Sequence, residues 1–179
     1  MEIRLKYNEQ EDEFSMDLSL EGRLKNYIKK NFYPAYAISQ LAPVYLVGGA
    51  IRDLMYAEKP KDLDFVVLGQ ENIDLVRMVM KKFGICYEFN RFGGFKFSYN
   101  GVAVDLWLAE DLFSAMQYNV DGLFFDLRNH SLLSLTFDDF LQNGVRLVNC
   151  ENNIEKGREL KLNIFEKKFF EKRESETKR

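Results

Sequence analysis

Residues 46–65 hold the side chains best suited to chemistry. They read Leu-Val-Gly-Gly-Ala-Ile-Arg-Asp, then a short loop, then Lys-Asp-Leu-Asp-Phe. Gly48 and Gly49 let the backbone come close to a ligand. A helix starting there offers free N–H groups and the positive end of its dipole to a phosphate. Arg52, in the first turn of that helix, adds a fork of donors matched to phosphate oxygens, and Lys61 adds a further positive charge. Asp62 and Asp64 stand two apart in an apolar run. A strand repeats every two residues, so both carboxylates face one way while Leu63, Phe65 and Val67 face the other. Such a pair suits Mg²⁺, a hard cation that takes one or two carboxylates together with substrate phosphates. A glycine pair alone reads as a tight turn, and two aspartates alone read as solvated strand acids. Their spacing, taken with Arg52 and Arg91, favours a nucleotide site.

The elements that must position these groups are legible in the pattern. Val44 to Val47 reads as a strand, followed by a helix to about Tyr56 and the Asp-x-Asp strand to about Leu68. A second helix carries Ile73, Val76, Val79, Met80 and Phe83 on one stripe and ends at Gly84. Residues 85–89, 94–99 and 102–108 read as strands, and Asn100-Gly101 is a type I′ hairpin signal. In the last of these strands Val102, Val104, Leu106 and Leu108 share one face, while Ala103, Asp105 and Trp107 share the other. Asp105 is therefore expected beside Asp62 and Asp64, giving three acids for a two-metal phosphoryl-transfer site.

Upstream, Leu20, Leu24, Tyr27, Ile28 and Phe32 form a helical stripe, with Pro34 just past its end. Downstream, Asp121-Gly122 suggests a second hairpin, residues 137–141 a short helix ended by Gly144, and residues 146–148 a last strand. From Asn153 a charged helix is expected, with Ile154, Leu160, Ile164 and Phe165 on its buried side. The expected division is an N-terminal extension (1–19), a head domain (20–150) and a charged C-terminal helix (151–179).

Four pieces in register resemble the head domain of the class II CCA-adding enzymes and bacterial poly(A) polymerases, within the polymerase-β-like nucleotidyltransferases. They are Gly48-Gly49 with Arg52-Asp53, the Asp62/Asp64 pair preceded by Lys61, Asn90-Arg91-Phe92-Gly93-Gly94, and Val104-Asp105-Leu106. The similarity spans roughly residues 41–127. It implies an α/β fold with a mixed, mostly antiparallel sheet of about five strands, helices on one face and the site on the other. It also implies transfer of a nucleoside monophosphate from ATP or CTP to an acceptor hydroxyl, with an RNA 3′ end as acceptor. Asp62, Asp64 and Asp105 would be the catalytic and metal-binding acids for two Mg²⁺ ions, and Gly48, Gly49, Arg52, Lys61 and Arg91 would hold the nucleotide. Residues 109–115 depart from the pattern: the family's paired arginines are absent, and Ser114 stands in place of an asparagine. Glu155 and Arg158 match the spacing of a base-reading pair, and equally that of an i,i+3 ion pair.

Composition narrows the acceptor. A net charge of −3 and a pI near 5.4 argue against strong autonomous RNA binding, leaving a local patch of Lys59, Lys61, Arg91 and Lys96. A protein or small-molecule acceptor, or a silent nucleotide-binding module, are the alternatives. No run approaches the ~18 apolar residues of a membrane span. Cys86 and Cys150 have neither metal spacing nor a disulfide framework, which fits a reducing cytoplasm. The lone His130 reads as a loop residue.

Overall fold

The computed structural model describes residues 19–149 and 158–177. They form two units: unit 1 holds residues up to Leu112 together with Leu123–Leu133, and unit 2 holds Phe113–Gly122 and the residues from Ser134 onward.

Unit 1 opens with α1 (Leu20–Asn31), whose N-cap Ser19 accepts from the Gly22 N–H at 3.0 Å. That bond satisfies one of the helix's orphan donors. Leu20, Leu24, Ile28 and Phe32 are buried, as the stripe predicts. Pro34 does more than stop α1. It starts α2 (Pro34–Ser39), because its missing N–H costs nothing at a helix start. Then follow β1 (Val44–Val47), α3 (Gly49–Met55), β2 (Asp62–Leu68), α4 (Ile73–Lys82), β3 (Glu88–Phe89), β4 (Phe95–Tyr99), β5 (Val102–Ala109), β6 (Leu123–Asp126) and β7 (Ser131–Ser134).

The sheet has seven strands in the order β3-β4-β5-β2-β1-β6-β7, two more than the sequence suggests. The short β3 and β7 are its edges. β2 and β5 pair in parallel, and β1–β2, β1–β6, β3–β4 and β4–β5 are antiparallel. Asn100 (φ 49°) and Gly101 (φ 79°) both adopt the left-handed region that a type I′ turn demands between β4 and β5. On the helix-covered face, Phe32 packs against Phe65, Phe97 and Tyr99 with ring centroids 5.3–5.5 Å apart. The other face carries the acids, yet it is not open along its whole length. Val66 and Phe124 point that way by register and are fully buried. Residues 65–67 thus form a continuous apolar run buried on both sides, as befits a central strand.

Unit 2 is built on phenylalanine. α5 (Phe137–Asn143) and α6 (Arg158–Thr177) meet through Phe137, Phe140, Phe165, Phe169 and Phe170. Three expectations are corrected here. Leu160 and Ile164 are exposed, and the buried stripe of α6 runs instead through Leu162 and the three phenylalanines. Asp121-Gly122 is no hairpin. It closes a 3-10 turn, Asn119–Asp121, in which Asp121 accepts from the Tyr118 N–H at 3.0 Å. Gly122 is needed there because a Cβ would lie 2.7 Å from the Thr136 nitrogen. The expected strand at 146–148 is reduced to a single bridge, Tyr118 to Leu147. Ile154 and Glu155 lie outside the described residues.

Candidate active site

Two adjoining strands bring the acids of unit 1 together. β2 alternates as expected, so Leu63, Phe65 and Val67 are buried while Asp62 is exposed and Asp64 half-buried. The parallel register sets Asp64 directly beside Asp105 on β5, and Asp62 beside Ala103. Paired residues on adjoining strands point to the same face, with backbones about 4.8 Å apart. Asp62, Asp64 and Asp105 therefore share one face, as alternation predicts. On β4, Lys96 stands directly across from Asp105. Its ammonium offsets part of the repulsion that two adjacent carboxylates create.

The glycine turn is pressed against this pair. β1 ends with Val47 opposite Asp64, so the next residue, Gly48, enters α3 beside that carboxylate. Gly48 has φ +76°, and a Cβ there would lie 3.3 Å from Asp64 Oδ2. Glycine is thus favoured by backbone conformation, and a Cβ would also press on the Asp64 carboxylate. α3 is only seven residues long, so Arg52 stands at its middle rather than in a distinct first turn.

The surrounding charges are close enough to perturb one another. Burial raises the Asp53 carboxyl above its ordinary 3.8; Glu58 and Asp62 add to the rise, while Arg52 and Lys61 oppose it. The Asp53 carbonyl also accepts from the Tyr56 N–H at 3.0 Å and the Glu58 N–H at 2.8 Å, closing the end of α3. Tyr27 is raised by burial and then by Asp53. Its hydroxyl donates to the Pro60 carbonyl at 3.5 Å, ahead of the Asp-x-Asp strand. Sequence reading missed Tyr27 as a neighbour of this loop, because only the packing of α1 places it there.

Lys61 is exposed at the foot of β2. Arg91 stands on the β3–β4 loop with its guanidinium 4.6 Å from the Phe92 ring centroid. Among the described residues, no group of three or more His, Cys, Asp or Glu is gathered to hold a metal ion. The donor set present is an oxygen pair, Asp64 with Asp105, with Asp62 two residues further along the same face. Such a set fits a Mg²⁺ that completes its shell with substrate phosphates and water, and does not suit a cation that needs an all-protein cage.

Arg158 lies in unit 2, where its guanidinium is committed. It pairs with Asp121 at 2.6 Å, donates to the Gln117 side chain and lies 5.7 Å over the Tyr118 ring. His130 sits in a loop at φ 53°, 5.6 Å from Tyr36. Cys86 is exposed with its thiol free. No helix among the described residues is long and apolar enough to cross a membrane.

Residues 44–105 match the family described as the poly A polymerase head domain. No curated protein matches the chain. Among solved structures, a tRNA-processing enzyme in its apo form superposes with a TM-score of 0.55 at 18% identity, over 69% of this chain and 37% of that one. A CCA-adding enzyme with CTP gives 0.53 at 21%, over 70% and 32%. The Thermotoga maritima CCA-adding enzyme complexed with tRNA gives 0.51 at 21%, over 72% and 32%. At these identities the likeness is one of fold. The chain spans about a third of the length of the solved structures it matches.

Proposed function

We propose that this chain, which carries a poly A polymerase head domain in residues 44–105, is a nucleotidyltransferase that moves a nucleoside monophosphate from a triphosphate to the 3′ end of RNA. One observation carries the reading. Asp64 and Asp105 are register neighbours on one sheet face, and Gly48, held at φ +76°, brings the glycine turn so close to that pair that a Cβ there would lie 3.3 Å from Asp64 Oδ2. Such a site lets a triphosphate lie along the glycine turn with its α-phosphorus near two carboxylates.

Each residue then has a task. Gly48 and Gly49 admit the phosphates to the backbone, and Arg52 and Lys61 neutralise them. Asp64 and Asp105 would hold Mg²⁺, with Asp62 contributing from the same face. The ion supplies charge neutralisation at the triphosphate and lowers the pKa of the acceptor hydroxyl. The hydroxyl oxygen bonds to the α-phosphorus and the bond to the β-phosphate oxygen breaks, releasing pyrophosphate. Asp105 would either complete the shell of that ion on the acceptor side or take the hydroxyl proton. RNA as acceptor is supported by what the neighbours of this fold hold, CTP in one structure and tRNA in another.

The test is incubation of the chain with Mg²⁺, α-labelled ATP or CTP and short RNA. Extension of the RNA that disappears in Asp64→Asn and Asp105→Asn is the expected result. Label on a protein or metabolite instead would replace the acceptor, and no transfer to any pool would overturn the reading.

A further inference from the structure

Unit 1 exposes an aromatic tip next to its acidic face. The loop between β3 and β4 is locked by Asn90, whose Oδ1 accepts from the N–H groups of Phe92 and Gly94, each at 2.9 Å. The Asn90 N–H donates to the Gly94 carbonyl at 2.8 Å, and the Gly93 N–H to the Asn90 carbonyl at 3.0 Å. A loop tied this way holds Phe92 out in solvent, 62% exposed. Burying a phenylalanine stabilises a fold, and the exposed Phe92 forgoes most of that gain.

The exposed rings carry cations. The Arg91 guanidinium lies over Phe92 at the tip; Arg77 lies 5.8 Å over Phe89, which its register with Phe95 and Leu106 puts on the sheet face away from Asp105. Lys96, one strand in, is exposed and faces Asp105. A surface that buries itself against another protein is depleted of charge at its centre. Here the charges sit on the rings. A flat π-face flanked by guanidinium and ammonium groups is what single-stranded nucleic acid needs, one for the bases and the other for the phosphates.

We infer that the β3–β4 tip is a stacking platform for the single-stranded 3′ end of an RNA acceptor, with Phe92 under a base and Arg91 and Lys96 on the flanking phosphates. The inference rests on the nucleotidyl-transfer reading, since Lys96 leads from the tip to Asp105 and so to the proposed reaction centre. It assigns Arg91, which the family resemblance implies would hold the nucleotide, to the acceptor side of the site, whereas Gly48, Gly49 and Arg52 serve the triphosphate.

Fluorescence anisotropy of the full chain with a labelled, unstructured oligoribonucleotide tests it. Stacking is worth about 1–3 kcal/mol per base, so Phe92→Ala is expected to weaken binding about tenfold or more. Phe92→Trp is expected to hold affinity within about twofold. Phe92→Leu, which keeps an apolar side chain without a π-face, is expected to behave like the alanine variant. Recovery of binding in Phe92→Leu, or indifference to all three changes, would overturn the platform. Transfer of label to a protein or metabolite by a chain that binds no oligoribonucleotide would also overturn it, while leaving nucleotidyl transfer intact. Phe92-dependent binding without any transfer would support the platform and sink the catalytic reading instead.

Discussion

Two sets of aspartates, one in each unit, use the same chemical group in opposite ways. Asp121 in unit 2 is 5% exposed and fully engaged. It accepts from the Gln117 and Tyr118 N–H groups and pairs with Arg158, whose guanidinium also reaches Gln117 and Tyr118. Asp64 and Asp105 in unit 1 are half-buried and lie side by side, two like charges on adjoining strands. Like charges in that position repel, and Lys96, directly across from Asp105, is the cation the sheet sets beside them. A carboxylate surrounded by donors is part of the framework. A carboxylate set beside another is prepared for a ligand, and the fold tolerates the repulsion because the rest of β2 is apolar and buried.

The comparison breaks first if activity and stability fail to separate. Asp64→Asn is expected to cut nucleotidyl transfer by at least about 10³-fold, roughly 4 kcal/mol of transition-state stabilisation. Its melting temperature is expected to stay level or rise, since one of two adjacent charges is gone. A Mg²⁺-dependent triphosphate affinity unchanged in this variant would end the metal assignment. Asp121→Ala is expected to do the reverse. It strands the Arg158 charge and two N–H donors, at a cost of about 3 kcal/mol, read in chemical denaturation.

Gly48→Ala is the next largest effect. The left-handed φ of +76° and the 3.3 Å approach to Asp64 both penalise a Cβ. A loss of about 1–2 kcal/mol is expected, together with weaker triphosphate binding by calorimetry. Normal affinity in this variant would show that the turn does not grip phosphate.

The smallest effect sharpens the comparison through pH. The Asp53 carboxyl is raised in the folded state, chiefly by burial. A raised carboxyl contributes its stability below the unfolded value of about 4 and loses it as pH climbs through the folded value. The wild-type chain should therefore lose stability relative to Asp53→Asn as pH rises from about 4 towards neutrality. Because the group is partly exposed, the difference should stay under about 1 kcal/mol. A gap that narrows with rising pH would contradict the assignment.

Short-range periodicity made much of unit 1 legible in the sequence. Alternation over residues 62–68 and 102–108 set the acids apart from the apolar side chains, and Asn100-Gly101 joined β4 to β5, because these depend only on a two-residue repeat and on turn conformation. Alternation failed at Val66, since a central strand is buried on both sides and a run of Phe-Val-Val carries no polar mark of its second neighbour. Unit 2 was far less legible. Asp121-Gly122 has the composition of a hairpin, yet the Tyr118 N–H and Arg158, 37 residues away, draw the aspartate into a 3-10 turn. In the same way α6 shows several apolar residues, and only Phe137 and Phe140 decide that Phe165 and Phe169 turn inward while Leu160 and Ile164 do not. The sequence by itself determined which residues of β2 and β5 could face a ligand, because that is local geometry. The tertiary structure alone decided that Asp64 is the register neighbour of Asp105 and that the glycine turn ends up beside Asp64, because strand order and register arise from pairing between separate segments of the chain.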